Sequence, residues 1–360
     1  MEETDQLILD TANRLFSDHC GAEVVNRSET GQFPGALSDT VISAGLPLAW
    51  VSEEAGGVGG SLALGFHLIR LAARYATPVP LVETMVANLV LAKSGLEVAD
   101  IWAALVFDGG PLPTVDNGAV HGVISHASGV VNEPLLVVPV VDGERIRVAT
   151  FAMDNLNIEP QESLAGEPRA RVNLEGVVPV KLSPVVDGMN EDGLRQFCAL
   201  VRACQIVGAF EKITDLTVGY VKERKQFGRP LGKFQAIQHK VADIVGESAL
   251  SIAAVEQAIR ALSKHPEPFS GDQAVFVPVA TAKVVTSEGA ATVARLAHQS
   301  HGAMGFSFEY PLQQFSRRIW CWREEYGSEF YWSERLGMNV AGELCKVDAG
   351  TRQVWDIVSR

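Results

Sequence analysis

The residues with the most chemical potential lie in two short stretches of the final third of the chain. The first is Arg224 to Gly228, inside YVKERKQFGRPLGKFQAIQHKVAD. Read alone, it ends a helix: Arg224 is solvated, Phe227 packs, and Gly228 is the C-cap. The second is Gln299 to Gly305, QSHGAMG, with His298 just before it. His298 and His301 are spaced as a metal pair would be. No third ligand accompanies them, so no metal is expected. A third stretch, AWVSEEAGGVGG, places Gly56, Gly57, Gly59 and Gly60 where a phosphate cradle comes to mind. Its spacing is not GxGxxG in a βαβ frame, and no acidic residue closes the unit. It reads as a flexible loop between helices.

Three regions must position these residues. Residues 1–98 read as helical, with Leu7, Ile8, Ala12, Leu15 and Phe16 at helical spacing. Residues 99–187 change period. LLVVPVV and RIRVATFAM are short β-rich runs broken by Gly, Asp, Asn and Pro, which argues for an antiparallel sheet or small barrel. Asp142-Gly143 reads as a hairpin turn. Residues 188–360 return to helical period. Ile237, Val241, Ile244, Val245, Ile252, Val255 and Ile259 trace one apolar face. A second long helix runs from Val275 to Gln299 and a third from about Pro311 to Tyr326, and antiparallel packing makes a bundle.

Composition narrows the class. A chain of 360 residues, 47% apolar and 20% charged, can bury a large core across two or three units. Its net charge of −13 repels phosphate backbones, which excludes nucleic acid as a partner and requires local basic groups around any anionic ligand. The five cysteines (Cys20, Cys198, Cys204, Cys321, Cys345) contain no CxxC and read as reduced thiols in a cytoplasmic protein. No run of about 18 apolar residues suggests a membrane span.

The segment Tyr220 to Asp243 resembles the signature of the acyl-CoA dehydrogenase family, Y-x-x-x-R-x-Q-F-G-x-P-L-x-x-F-Q-A-I-Q-H-x-x-A-D. QSHGAMG resembles the family's Q-x-x-G-G-x-G, with Ala303 where glycine is usual. The glycine-rich loop and the E-Y-P-L stretch before Arg317 and Arg318 are similar too. The resemblance implies a mainly α fold with a central β domain: an N-terminal helical domain, a middle β-barrel or sheet, and a C-terminal four-helix bundle. It implies FAD as cofactor, an acyl-CoA substrate and electron-transfer flavoprotein as acceptor. In the family this turn reaches a neighbouring subunit's FAD. The resemblance therefore assigns Arg224 to the pyrophosphate, and Gln226, Phe227, Phe234 and Gln235 to the adenosine region. It places Gln299, Gly302 and Ala303 at the adenine end.

Two departures accompany these matches. Most family members carry a catalytic glutamate in a Y-E-G-T loop after the last bundle helix. Here the loop reads Glu325-Tyr326-Gly327-Ser328, so Tyr326 takes the base position, and Glu325 is expected to be an ordinary helix-end carboxylate. Other members carry the base on an earlier helix, where this chain has Cys198. No catalytic residue is assigned. The flavin-ring loop of the middle domain is also unlike the family's, with His126 and Ser128 only roughly in its place. The pattern resembles the shortened, non-catalytic subunits of actinobacterial acyl-CoA dehydrogenases built as α2β2 heterotetramers, several of which act on steroid side chains. That implies a second family subunit as partner, with the bundle helices from Ile237 to Leu262 and from Val275 to Gln299 burying apolar faces against another chain. Two alternatives stand beside it: a self-sufficient homo-oligomer using Glu325 or Glu324 as base, and a flavin-free structural or binding protein on the same scaffold.

Overall fold

A computed structural model describes residues 3–131 and 134–345. Among the described residues five α-helices come first: α1 (Glu3–His19), α2 (Ala22–Glu29), α3 (Gly35–Ser43), α4 (Leu62–Arg74) and α5 (Leu81–Lys93). The α4 helix starts where Ser61 accepts a hydrogen bond from the Leu64 N–H, an N-cap that satisfies one of the orphan donors of the first turn. Its buried face, Leu64, Leu68, Ile69 and Ala72, follows the helical repeat and packs on the C-terminal helices. The glycine-rich loop before α4 is tightly folded rather than open. A Cβ on Gly57 would lie 2.2 Å from the Val51 carbonyl oxygen, and one on Gly60 would lie 2.4 Å from a Leu64 methyl. The glycines are there for close packing, not for phosphate.

Nine strands follow among the described residues: β1 (Ala103–Leu105), β2 (Thr114–Asp116), β3 (Ala119–His121), β4 (Val123–Ser128), β5 (Leu135–Asp142), β6 (Arg145–Phe151), β7 (Asn157–Gln161), β8 (Arg169–Asn173) and β9 (Lys181–Leu182). The β5–β6 hairpin pairs Asp142 with Arg145, with Gly143 at φ 65°, as the Asp-Gly turn predicts. The pairing is not purely antiparallel. β1 and β2 both run parallel to β5, and a second sheet holds β4, β8 and β7.

The remaining helices are α6 (Glu191–Glu223), α7 (Gln235–Leu262), α8 (Gln273–His301), α9 (Leu312–Trp322) and α10 (Glu329–Cys345). A two-residue-strand hairpin, β10 (Lys225–Gln226) and β11 (Arg229–Pro230), separates α6 from α7. The third long helix expected from Pro311 to Tyr326 stops at Trp322, and residues 323–327 form a turn. The α6 helix is the spine. It packs on α4, α7, α8 and α9, and its buried run from Phe197 to Phe210 is apolar apart from Arg202 and Gln205.

The two bundle faces expected to meet another chain differ. Val245 and Leu250 on α7 are exposed, so that helix keeps an uncovered apolar face. Val279, Ala282, Ala290, Val293 and Ala297 on α8 are buried inside this chain. Among the described residues, no helix is long and apolar enough to cross a membrane. Cys20, Cys198, Cys204 and Cys321 are free thiols, while the side chain of Cys345 lies outside the described set.

Candidate functional site

The outward turn is built by the end of α6. Arg224 is the C-cap, and its N–H donates to the Tyr220 carbonyl at 2.8 Å. Gly228 is thus not the helix cap. With Phe227 it forms the two-residue loop of the β10–β11 hairpin, both residues having positive φ, at 52° and 80°. That is the signature of a type I′ turn, which favours Asn or Gly at its first position. A phenylalanine held there costs about 1–3 kcal/mol of backbone strain. The residue is 89% exposed, and its ring lies near that of Phe234, with centroids 6.1 Å apart. Arg224 and Gln226 are exposed, and among the described residues the Arg224 guanidinium makes no ion pair. Phe234 is less available, because the Arg229 guanidinium sits 4.1 Å from its ring centroid. Gln235 is exposed at the start of α7.

The second patch closes α8. Gly302 has φ 62° and ψ −143°, a region open in practice only to glycine, and it turns the chain into residues 302–306. Gln299, Gly302 and Ala303 are exposed. The two histidines point apart. His298 Nε2 pairs with the Ser316 hydroxyl at 2.8 Å, and His301 is stacked on Tyr220 with ring centroids 4.5 Å apart. Among the described residues no cluster of three or more metal-ligating side chains forms. The Tyr220 hydroxyl also donates to the His301 carbonyl at 3.2 Å, which ties this patch to the helix end bearing Arg224.

The inner site is a closed polar cluster. Tyr326 and Cys198, the two positions that the resemblance expects for a base, lie together in the interior. Burial pushes the Cys198 thiol up to about 12 and raises the Tyr326 phenol well above its ordinary value, so neither is a base near neutral pH. The Tyr326 hydroxyl donates to the Phe107 carbonyl at 3.2 Å, and its φ is 55°.

Glu325 is not the ordinary helix-end carboxylate expected. It lies in the turn after α9, its side chain 14% exposed, paired with Arg169 and accepting from Arg202 Nε at 2.7 Å. Burial alone would raise its pKa. The guanidiniums of Arg202 and Arg169 overcome that and hold it below the usual glutamate range. A general base for a weakly acidic C–H needs the opposite shift. Arg202, 2% exposed, also donates to Glu83 at 3.3 Å, to Gln205 at 2.5 Å and to Ser128 at 3.2 Å. Ser128 therefore belongs to this cluster, whereas His126 turns outward to Gln161 at 3.0 Å.

Lys283, buried on α8, donates to the carbonyls of Trp322 at 3.1 Å and Arg323 at 2.6 Å, clamping the turn that carries Glu325. Sequence reasoning missed Arg202, Arg169, Glu83 and Lys283. The available signal was a lone cation inside an apolar helical run, Arg202 in FCALVRACQIVGAF and Lys283 in VATAKVV.

A helical N-terminal unit, a central β unit and a long-helix bundle, with a basic-aromatic turn at the end of the spine helix, define the architecture. A family model described as acyl-CoA dehydrogenase, C-terminal domain, matches residues 197–330. The acyl-CoA dehydrogenase IpdE2 of Mycolicibacterium smegmatis is 28% identical over 323 residues, covering 88% of this chain and 93% of that protein. The ChsE4–ChsE5 complex of Mycobacterium tuberculosis superimposes with a TM-score of 0.83 at 20% identity, over 97% of this chain and 99% of its counterpart. Butyryl-CoA dehydrogenase of Megasphaera elsdenii has the same fold, with a TM-score of 0.78 at 20% identity over 95% and 99% of the two chains. Residues 197–330 therefore carry the C-terminal domain of the acyl-CoA dehydrogenases, and the fold of the whole is theirs: N-terminal helices, a middle β domain and C-terminal helices.

Proposed function

We propose that this chain is the adenosine-side partner subunit of a heteromeric, FAD-dependent acyl-CoA dehydrogenase. The observation that carries the reading is the contrast between its two sites. The outward turn fits the pyrophosphate and adenosine of FAD: an exposed guanidinium without an intrachain ion pair, and an exposed, strained aromatic ring beside it. The inner site does not suit catalysis by this chain, because Tyr326 and Cys198 are protonated and Glu325 is locked between two arginines.

When bound, FAD accepts the hydride that leaves the β-carbon of the acyl thioester. This chain's share is binding and orientation. Arg224 offers paired charge-assisted hydrogen bonds to phosphate oxygens. Phe227 and Gln226 cover the adenosine, and Gln299, Gly302 and Ala303 let the backbone approach its adenine end. The ring contacts, the base and the acyl pocket come from the other subunit, which the similarity to ChsE4 and ChsE5, a complex of two named chains, supports. The uncovered face of α7 supplies apolar surface for that pairing. Sterol-derived or fatty acyl-CoA is the substrate class, and electron-transfer flavoprotein the acceptor.

The self-sufficient alternative has no geometric support. Glu325 is engaged on both oxygens, and Glu324 is largely exposed and paired with Arg323. The test is co-expression with a longer family member, followed by sizing and flavin counting. One FAD for every two chains, and colour only in company, is expected. One FAD per chain in a homomeric yellow protein overturns the reading.

A further inference from the structure

Beside the closed cluster, the N-terminal helices, the β domain and the bundle meet at a cavity of about 270 Å³. That is near the lower end for small-molecule sites, about 300–1,000 Å³, and junctions between units are where such sites occur. One wall is apolar: Phe33, Val79, Pro80 and Val82. The opposite wall is polar and built from buried groups, Gln205, Ser128 and Arg318, and half-buried ones, Glu83 and Glu167.

Gln205, only 4% exposed, lines this wall. Its Oε1 accepts from Arg202 Nη1 at 2.5 Å. A guanidinium can only donate, so the amide orientation is fixed and Nε2 is turned away from Arg202. Among the described residues Nε2 has no protein acceptor. Ser128 lines the same wall, and its hydroxyl accepts from Arg202 Nη2 at 3.2 Å, which leaves its own proton to donate. Glu83 receives Arg202 on Oε1, which leaves Oε2 as an acceptor.

The formal charges cancel across the ion-pair network, in which Glu29, Glu83, Glu167 and Glu325 stand against Arg169, Arg202, Arg317 and Arg318. Glu83 stands against Arg202, and Glu167 lies 3.6 Å from Arg318, which is itself paired with Glu29. Two rim loops are held shut on carboxylates by glycines. Gly129 has φ +76° and Gly166 has φ +72°; a Cβ on either would lie 2.7 Å from Glu83 or 2.6 Å from Glu29.

We infer that this cavity binds a small neutral molecule with an apolar body and an acceptor next to a donor, as in a primary carboxamide. The ligand's carbonyl oxygen takes the Gln205 N–H and the Ser128 O–H, and its own N–H meets Glu83 Oε2. An anion would face two carboxylates. A cation would find each carboxylate already neutralised. The site is independent of the flavin-facing turn: Gln205 and Arg224 are 19 residues apart on and at the end of α6, about 28 Å along its axis. Occupancy needs neither flavin nor a partner subunit.

Fluorine NMR titration of the full chain with 4-fluorobenzamide tests this, with 4-fluorobenzoate and 4-fluorobenzylamine as charged controls. Saturable binding of the amide is expected, at least about tenfold tighter than either control, the equivalent of one good hydrogen bond at 1.4 kcal/mol per decade. Val82→Phe fills the apolar half and should abolish binding. Gln205→Leu should weaken it about fivefold or more. If that variant does not fold, Ser128→Ala, which leaves Arg202 its other partners, should still weaken it. Absence of saturable amide binding, equal binding of the benzoate, or binding indifferent to Val82→Phe would each overturn the inference.

Discussion

Arg202→Met is the sharpest test of the closed cluster. It removes a buried guanidinium with four partners and leaves Glu83 without its cation and Glu325 with Arg169 alone. Breaking a buried pair by deleting one member costs about 3–5 kcal/mol, mostly through the charge left behind. Unfolding entropy near 2.1 cal/mol/K per residue gives roughly 0.76 kcal/mol per degree for a chain of 360 residues. The expected fall in Tm is therefore about 4–7 °C. Glu325→Gln in the same background removes the stranded carboxylate, so the double variant should lose less than the sum of the singles, by at least about 1 kcal/mol. The assay is calorimetry of the four members of the cycle at pH 7. A single-variant loss under 1 °C, or strict additivity, would show that these groups do not hold each other, and the argument that Glu325 is locked away from chemistry would go with it.

Other perturbations separate the two sites. Arg224→Ala in the assembled complex should weaken flavin retention by about 2–5 kcal/mol while leaving the circular dichroism spectrum unchanged, which equilibrium dialysis of released FAD measures. Phe227→Gly relieves the positive-φ strain, so it should raise the stability of the chain alone by about 1 kcal/mol while still weakening flavin retention. Folding holds Glu325 below its unfolded pKa, so its stabilising share is present above about pH 4.3 and lost as the pH falls below that; Glu325→Gln should flatten the acid limb of a Tm-versus-pH curve. Burial lowers Lys283 to about 7, against about 10.4 unfolded. The unfolded chain binds the extra proton between those values, so stability should rise with pH from 7 to 10, and Lys283→Met should remove that rise.

How much of this was legible depended on sequence distance. The α6 end, its hairpin and the start of α7 lie within one continuous segment, so local pattern located them. The same holds for the Asp142-Gly143 hairpin. The inner cluster was not legible, because Glu325 finds Arg202 and Arg169 across separations of 123 and 156 residues. Helical extrapolation sent Glu325 the wrong way for a related reason. The α9 helix ends at Trp322, where Lys283, distant in sequence, takes its last carbonyls. Parallel pairing of β1 and β2 with β5 is likewise a non-local choice that alternation cannot reveal. The apolar periodicity of α8 suggests a face buried against another chain, whereas Val279, Ala282, Ala290, Val293 and Ala297 are buried within this one; period alone does not say which chain supplies the cover.

The α6 helix has a further consequence. It carries Arg202 about a third of the way along and Arg224 at its end, 22 residues apart on one uninterrupted rod, or about 33 Å at 1.5 Å per residue. It is a ruler with an angular scale as well as a length. Inserting one residue between Cys204 and Tyr220 would advance the tip by about 1.5 Å and turn it by about 100°, leaving the signature segment itself intact yet facing the wrong way. In this chain the number of residues between the two sites is as much a part of the specification as their identity.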